Sequence, residues 1–359
     1  MNQPLTVTAA QKAGPKLTAS LVGTVLIALL ILPLLHLLPE SSALYLSAYG
    51  LTLTGKILCY AIVALALDLV WGYAGLLSLG HGLFFALGGY AMGMYLMREA
   101  AGDQLPAFMT FLSWTELPWY WAGTQHFLWA LCLVVLAPGL LAWCSASSPL
   151  PLADQGRVLL DHDPGADLRR HAAVLPQRDR LWRQQRLHQF PQHPRLFHHR
   201  AGTRVALFIA IVVLLAASLA VGFALARSKF GRVLTALRDA ENRLMFCGYD
   251  PRGYKLFVWT LSAVICGLAG ALFVPLVGII NPSEMSPTNS IEAAVWVALG
   301  GRGTLIGPLL GAGVVNGAKS WFTVAFPEYW LFFLGALFIV VTLYLPRGIL
   351  GLIKREKEL

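Results

Sequence analysis

Residues 205–225, VALFIAIVVLLAASLAVGFAL, form a run that contains no charged side chain. About 20 consecutive apolar residues in a helix cross the hydrocarbon core of a bilayer, so this run predicts a membrane-spanning helix. Other apolar runs lie at Leu26–Leu38, Ile57–Val70, Leu256–Ile280 and Leu331–Leu345, and of these only Ile57–Val70 contains a charged residue, Asp68. The chain is 57% hydrophobic and 13% charged, whereas soluble domains average about 45–50% and about 25%. The sequence therefore predicts an all-α, polytopic integral membrane protein with about eight transmembrane or re-entrant helices and excludes a water-soluble globule.

Positive charge predicts the orientation of the helices, because loops rich in Lys and Arg stay in the cytoplasm. Lys12 and Lys16 precede the first apolar run, cations crowd residues 227–255, and Arg347, Lys354, Arg355 and Lys357 lie near the end. The loop at 227–255 and both termini are therefore expected to be cytoplasmic. The first run, Leu17–Leu38, is too long for a signal peptide and lacks a cleavage site, so we expect it to remain as a helix. Residues 98–126 hold few cations but three Trp residues and one Tyr residue, which predicts an aromatic belt on the opposite side.

The segment at 150–201 interrupts this pattern with a basic, His- and Gln-rich composition that includes six of the nine histidines. Three interpretations are open. A cytoplasmic loop is one, and a metal-binding tract is another, although the histidines lack a regular ligand spacing and partnering Cys or carboxylates. The third, which fits best, is translation from a shifted frame that opens between Trp143 and Leu152 and closes near Gly202. Suitable synonymous codons for Trp182–Gln189 encode GGNNGFT when they are translated one base later.

Four stretches outside that segment carry a family resemblance: WGYAGLLSLGHGLFFALGGY (71–90), SKFGRVLTALRDAENRLMFCGYDPRGYKL (228–256), IINPSEMSPTNSIEAAVWVALGGRGTLIG (279–307) and EYWLFFLGALFIVVTLYLPRGI (328–349). The sequence resembles the membrane subunit of ABC importers for branched-chain amino acids over about 20–143 and 203–355. ELPWYW at 116–121 looks more like the urea-type branch. The reframed GGNNGFT also looks like the family, which favours the frameshift interpretation. The resemblance implies one transmembrane permease domain over 1–359 in a bacterial inner membrane, which transports urea or a related short amide. A branched-chain amino acid permease is the alternative.

The same resemblance implies the partners. These are a second related permease subunit, two cytoplasmic ATP-binding subunits that carry ATP and magnesium, a periplasmic or extracellular substrate-binding protein, and membrane lipid, with no nucleic acid. The chain itself is expected to hold no cofactor and no catalytic or metal site. Residues 313–320 resemble a phosphate loop only faintly, because Ala318 stands where that motif needs Gly before the Lys. An ATP-independent channel or secondary carrier is the less favoured alternative, with Asp68 as its coupling-ion site.

Polar residues inside apolar spans are the candidates for the substrate path. In the first motif, the glycines, including Gly75, predict close helix packing or a broken helix, and Ser78 and His81 supply hydrogen-bonding groups near the break. Asp68 lies in an apolar run, so it should point inward, either toward the path or into a buried structural hydrogen bond. Asn281 and Glu292 belong to a segment that is predicted to form a re-entrant or broken helix. For Glu292, an ion pair with Arg302 is favoured over direct substrate contact.

The loop at 228–255 has the periodicity of an amphipathic helix, with apolar residues on one face and charged residues on the other. Gly248 and Pro251 are expected to end it. The resemblance implies that this helix couples the permease to the ATPase, through Arg238, Asp239, Glu241 and Gly248. A helix that lies on the lipid surface would show the same pattern.

Overall fold

The computed structural model describes residues 45–102, 123–147, 201–326, 329–344 and 348–355, together with parts of 23–39 and 104–121. Within these ranges every regular element with defined bounds is helical. The α-helices are α1 (Ala48–Asp68), α2 (His81–Ala101), α3 (Phe127–Ser147), α4 (Ala201–Arg227), α5 (Lys229–Phe246), α6 (Pro251–Val277), α7 (Pro287–Gly300), α8 (Gly307–Ala325), α9 (Trp330–Tyr344) and α10 (Gly348–Arg355). A π-helical turn, Leu69–Tyr73, continues α1, and a 3-10 turn, Pro282–Met285, precedes α7.

Four of the described helical segments are long and apolar enough to cross a membrane: Ala48–Tyr73, Phe127–Ala146, Gly202–Arg227 and Pro251–Val277. They support the predicted all-α membrane protein, but the expected count of about eight transmembrane or re-entrant helices is not confirmed. The 14 residues of α7 are too few to cross the hydrocarbon core. Lys12, Lys16 and nearly all of the 150–201 segment lie outside the described residues, so its three interpretations stay open.

Helix α6 forms the centre of the fold and packs against α1, α2, α3 and α4. Glycines permit its closest approach to α2. A Cβ added at Gly88 would lie 2.0 Å from the carbonyl oxygen of Gly267, and one added at Gly270 would lie 1.9 Å from that of Phe85. Small residues give membrane helices this kind of backbone contact. The structure thus assigns a packing role to part of the glycine-rich first motif.

Candidate functional site

The link between α1 and α2 contains two of the predicted substrate-path residues, Gly75 and Ser78, and a third, His81, begins α2. It is non-helical over Gly75–Gly80, and Gly75 adopts φ +79° close to the side chain of Arg238. Ser78 Oγ accepts a hydrogen bond from Gly80 N at 3.2 Å and lies 2.8 Å from His81 Nδ1. His81 is fully buried and has no partner at Nε2 among the described residues. Ser78 therefore stabilises the start of α2.

Backbone N–H groups at the start of α2 also have protein partners. Gly82 N donates to Ser290 Oγ of α7 at 3.1 Å, and Leu83 N donates to the carbonyl oxygen of Gly80 at 3.1 Å. The free N–H groups of a broken helix were expected to face a substrate. In this conformation, the Gly82 N–H instead links α2 to α7, and the Leu83 N–H stabilises the first turn of α2.

Asp68 is completely buried at the end of α1. Its carboxylate accepts hydrogen bonds from Gly303 N at 2.6 Å and from Leu305 N at 3.2 Å. Both donors belong to the turn that joins α7 to α8. A Cβ at Gly72 would lie 2.4 Å from Asp68 Oδ1, so the neighbouring π-helical turn has room only for glycine there. The geometry favours the structural alternative for Asp68, because a buried carboxylate is stabilised by such donors.

The predicted amphipathic helix is present as α5, from Lys229 to Phe246. Ser228 Oγ caps it by accepting from Gly231 N at 3.1 Å, and Leu234 and Leu237 are buried. Its backbone is kinked at Ala240 (φ −153°, ψ 59°). Beyond the kink, Met245 is 48% and Phe246 92% exposed. The distal half of α5 therefore presents apolar side chains away from the rest of the described chain.

The turn after α5 differs in one respect from the expectation. Gly248 adopts φ +85° in the exposed turn that follows Phe246, which suits glycine because other residues strain at positive φ. Pro251, however, does not end α5; it occupies the first turn of α6, and Asp250 caps that helix by accepting from Arg252 N at 3.0 Å. Proline suits this position since its missing N–H would lack a helical partner anyway.

The other predicted coupling residues divide into an inner and an outer set. Arg238 donates through Nη1 to the carbonyl oxygen of Gly72 and through Nε to Asp239 Oδ1 at 2.8 Å. Glu241 pairs with Lys255 Nζ of α6 at 2.6 Å. Arg238 thus ties α5 to the π-helical turn beside Asp68, whereas Asp239 and Glu241 remain partly exposed.

The predicted Glu292–Arg302 ion pair does not form. Glu292 is 4% exposed, and both of its carboxylate oxygens accept from Lys319 Nζ of α8 at 2.8 Å. The Arg302 guanidinium instead lies over the Trp71 ring at 5.3 Å. Glu292 lies eight residues before the end of α7 at Gly300, which is about 12 Å along a helix axis. That separation explains why the facing helix supplies the partner.

A polar cluster surrounds this ion pair. A cavity of about 120 Å³ between α1 and α8 is lined by the polar residues Lys56, Tyr60, Asn316, Lys319, Ser320 and Thr323. Glu284 lies close to Lys56 and Tyr60 and accepts from Asn289 Nδ2 at 3.0 Å. Asn281, which immediately precedes the 3-10 turn, has a buried Oδ1 that lacks a partner among the described residues. Among the substrate-path residues predicted from sequence, only Glu292 belongs to the Glu292–Lys319 ion pair at the centre of this cluster.

Sequence reasoning missed Lys56, Lys319 and Ser290 as site residues. A usable signal existed for the two lysines, because an ionisable residue within an apolar span is a functional candidate by default. Lys319 was considered only within the false phosphate loop. No such signal marked Ser290, whose importance depends on its contact with Gly82. In the described part of the chain, no three His, Cys, Asp or Glu side chains come together as a metal site.

Comparison with known proteins assigns this chain to a protein family. A family model described as "Branched-chain amino acid transport system / permease component" matches residues 49–153 and 177–342. The high-affinity branched-chain amino acid transport system permease protein LivM of Escherichia coli is 26% identical over 310 residues, which cover 84% of this chain and 69% of the relative. LivM of Salmonella typhimurium is 25% identical over the same shares. The fructose import permease protein FrcC of Rhizobium meliloti is 30% identical over 122 residues, 33% of this chain and 34% of that protein. No solved structure matches.

Proposed function

This chain belongs to the family of branched-chain amino acid transport system permease components, and we propose that it forms part of the membrane path for a branched-chain amino acid in an ATP-driven importer. The observation that carries the proposal is the family match over 49–153 and 177–342. The names of the two LivM relatives favour the branched-chain alternative over the expected urea specificity. Permease relatives also support a transport subunit rather than an enzyme.

The importer is proposed to contain the partners that the resemblance implies: a second permease subunit, two ATP-binding subunits and an external substrate-binding protein. In this assembly the chain lies in the bacterial inner membrane with both termini in the cytoplasm. ATP and magnesium bind to the ATP-binding subunits. Met245, Phe246 and Tyr249 support this proposal, because exposed apolar side chains near basic residues suit a groove on another protein.

A chain of hydrogen bonds connects α5, where the ATPase is proposed to dock, to the interior of the permease. Arg238 of α5 bonds to Gly72, and the neighbouring Asp68 holds Gly303 and Leu305 in the turn before α8. A shift of α5 would therefore act on the π-helical turn and, through it, on the α7–α8 turn. Chains of packed and hydrogen-bonded groups of this kind carry coupling when they have two arrangements. We assign Arg238 to transmission, and Asp239, Glu241 and Gly248 to the docking side.

Reconstitution tests the proposal. The chain would be assembled with its second permease and ATPase subunits in proteoliposomes, and uptake of labelled leucine from its binding protein would be measured with and without ATP. Phe246→Asp should lower ATP-driven uptake at least about 10-fold by placing a charge in an apolar contact, while Phe246→Leu retains most of it. The unfolding temperature of Phe246→Asp should stay unchanged because the side chain is exposed. Leucine uptake that persists without any ATPase would support a channel or carrier instead.

Urea remains the second candidate substrate, and the sequence ELPWYW at 116–121 is the observation that favours it. Competition distinguishes the two solutes. Excess unlabelled leucine should abolish uptake of labelled leucine, whereas the same concentration of urea should leave it unchanged. Uptake of labelled urea that requires ATP and is not inhibited by leucine would show that the substrate is urea, as in the urea-type branch.

A further inference from the structure

Helices α1 and α8 lie side by side and run in opposite directions. Asp68, the last residue of α1, is bonded to the turn immediately before α8. Lys56 lies twelve residues before Asp68, and Lys319 lies twelve residues after Gly307, the first residue of α8. Both lysines are therefore about 18 Å from the Asp68 contact, and they line the same groove between the two helices.

Most polar groups that line this groove already have partners. The side chains of Asn316, Ser320 and Thr323 donate to carbonyl oxygens one turn back in α8 at 2.7–2.9 Å, and Lys319 donates to Glu292. Lys56 differs, because no described residue forms a hydrogen bond or ion pair with its ammonium group. The Lys56 ammonium group lies 5.8 Å from the centroid of the Tyr60 ring. An ammonium group that lacks a direct hydrogen-bonding partner is costly within a membrane-spanning helix.

The remaining surfaces of the groove have complementary chemistry. Leu53 and Ile57, on the same side of α1 as Lys56, supply an apolar wall. Glu284 does not line the cavity itself, but it interacts electrostatically with Lys56. The two lysines and the carboxylates of Glu284 and Glu292 sum to zero formal charge. The groove thus offers a cation and an apolar surface, with the Glu284 carboxylate beside them, and these four charged groups carry no net charge.

We propose that this groove is a binding site for a zwitterionic α-amino acid with an apolar side chain. Lys56 binds the carboxylate, Glu284 receives the ammonium group, and Leu53 and Ile57 contact the side chain. The Lys319–Glu292 pair holds α8 against α7 and so fixes the second wall of the site. This inference rests on the proposed function for its substrate class, but the site can be tested without transport.

Transport provides the first test. Lys56→Gln should lower leucine uptake by about 10- to 100-fold, because hydrogen bonds to charged groups have that effect when one partner is lost. Lys56→Arg should retain most uptake because it keeps the positive charge. Arg204→Gln, which removes a cation from the start of α4, serves as the control and should transport as the unmodified chain does. Basal ATP hydrolysis should be the same in all variants. Wild-type uptake by Lys56→Gln would overturn the site and leave the proposed function intact.

Direct binding provides the second test and requires neither ATP nor partners. A Thr323→Cys variant places a thiol in the wall of the groove, in a chain whose exposed cysteines, Cys132, Cys144 and Cys247, are replaced by Ser. Millimolar leucine should slow its modification by a maleimide at least about 3-fold, and Lys56→Gln should remove that protection. Equal labelling with and without leucine overturns the site. Protection by urea but not by leucine overturns the zwitterion assignment.

Discussion

Replacing Asp68 with alanine removes both acceptors that hold the turn between α7 and α8. The two N–H donors, from Gly303 and Leu305, would be left without the carboxylate at 2.6 and 3.2 Å. Each hydrogen bond to a charged group contributes about 1.5–3 kcal/mol, so the two together contribute about 3–6 kcal/mol. Water does not reach the group to replace them, since Asp68 is completely buried.

The free energy of unfolding of Asp68→Ala should therefore fall by about 3–6 kcal/mol. Asp68→Asn keeps one carbonyl oxygen as an acceptor and should lose about half as much. Asp250→Ala is the matched control, because its carboxylate accepts one backbone N–H at an exposed helix start; its cost should be about 1 kcal/mol. The measurement is denaturant unfolding of the detergent-solubilised protein, followed by tryptophan fluorescence.

Two results would refute this reasoning. If Asp68→Ala unfolds at the wild-type denaturant concentration while Asp250→Ala is destabilised, the hydrogen bonds to Gly303 and Leu305 do not anchor the turn. If Asp68→Asn keeps wild-type stability but stops transport, the carboxylate acts in the solute path, which is the alternative that the geometry disfavours.

The remaining predictions concern helix packing, the buried ion pair and the anomalous segment. Gly88→Ala should destabilise the protein by about 1–3 kcal/mol because its Cβ overlaps a backbone carbonyl; Gly93→Ala, whose Cβ meets only a side chain at 3.6 Å, should be neutral in the same unfolding assay. Lys319→Met should lower the free energy of unfolding by about 2–4 kcal/mol, which is less than for a fully buried pair because the Lys319 side chain is 35% exposed. Adding Glu292→Gln should restore most of this loss. A double variant that is less stable than Lys319→Met would contradict the proposed stabilisation by the ion pair. Resequencing the gene should find a frame change on each side of 150–201, whereas an intact single frame through Ala201 excludes the shift.

Several parts of the site were predictable because they depend on local sequence. The amphipathic helix over the 228–255 loop appears as α5, since its apolar spacing determines which face is buried. The inward direction of Asp68 followed from the cost of a charge in an apolar span. The Glu292 partner was not predictable in the same way: Arg302 is nearer in sequence, but Lys319 is nearer in space.

Composition and apolar periodicity alone determined that this chain is a helical membrane protein, because the bilayer imposes length and polarity on each segment independently of its neighbours. Only the tertiary structure decided which polar groups meet. The Asp68 contact brings α1 and α8 into antiparallel register, and that register places Lys56 beside Lys319 across 263 residues of sequence. Such pairings depend on how whole helices pack, and hydrophobic periodicity specifies the buried face of a helix but not the helix that will cover it.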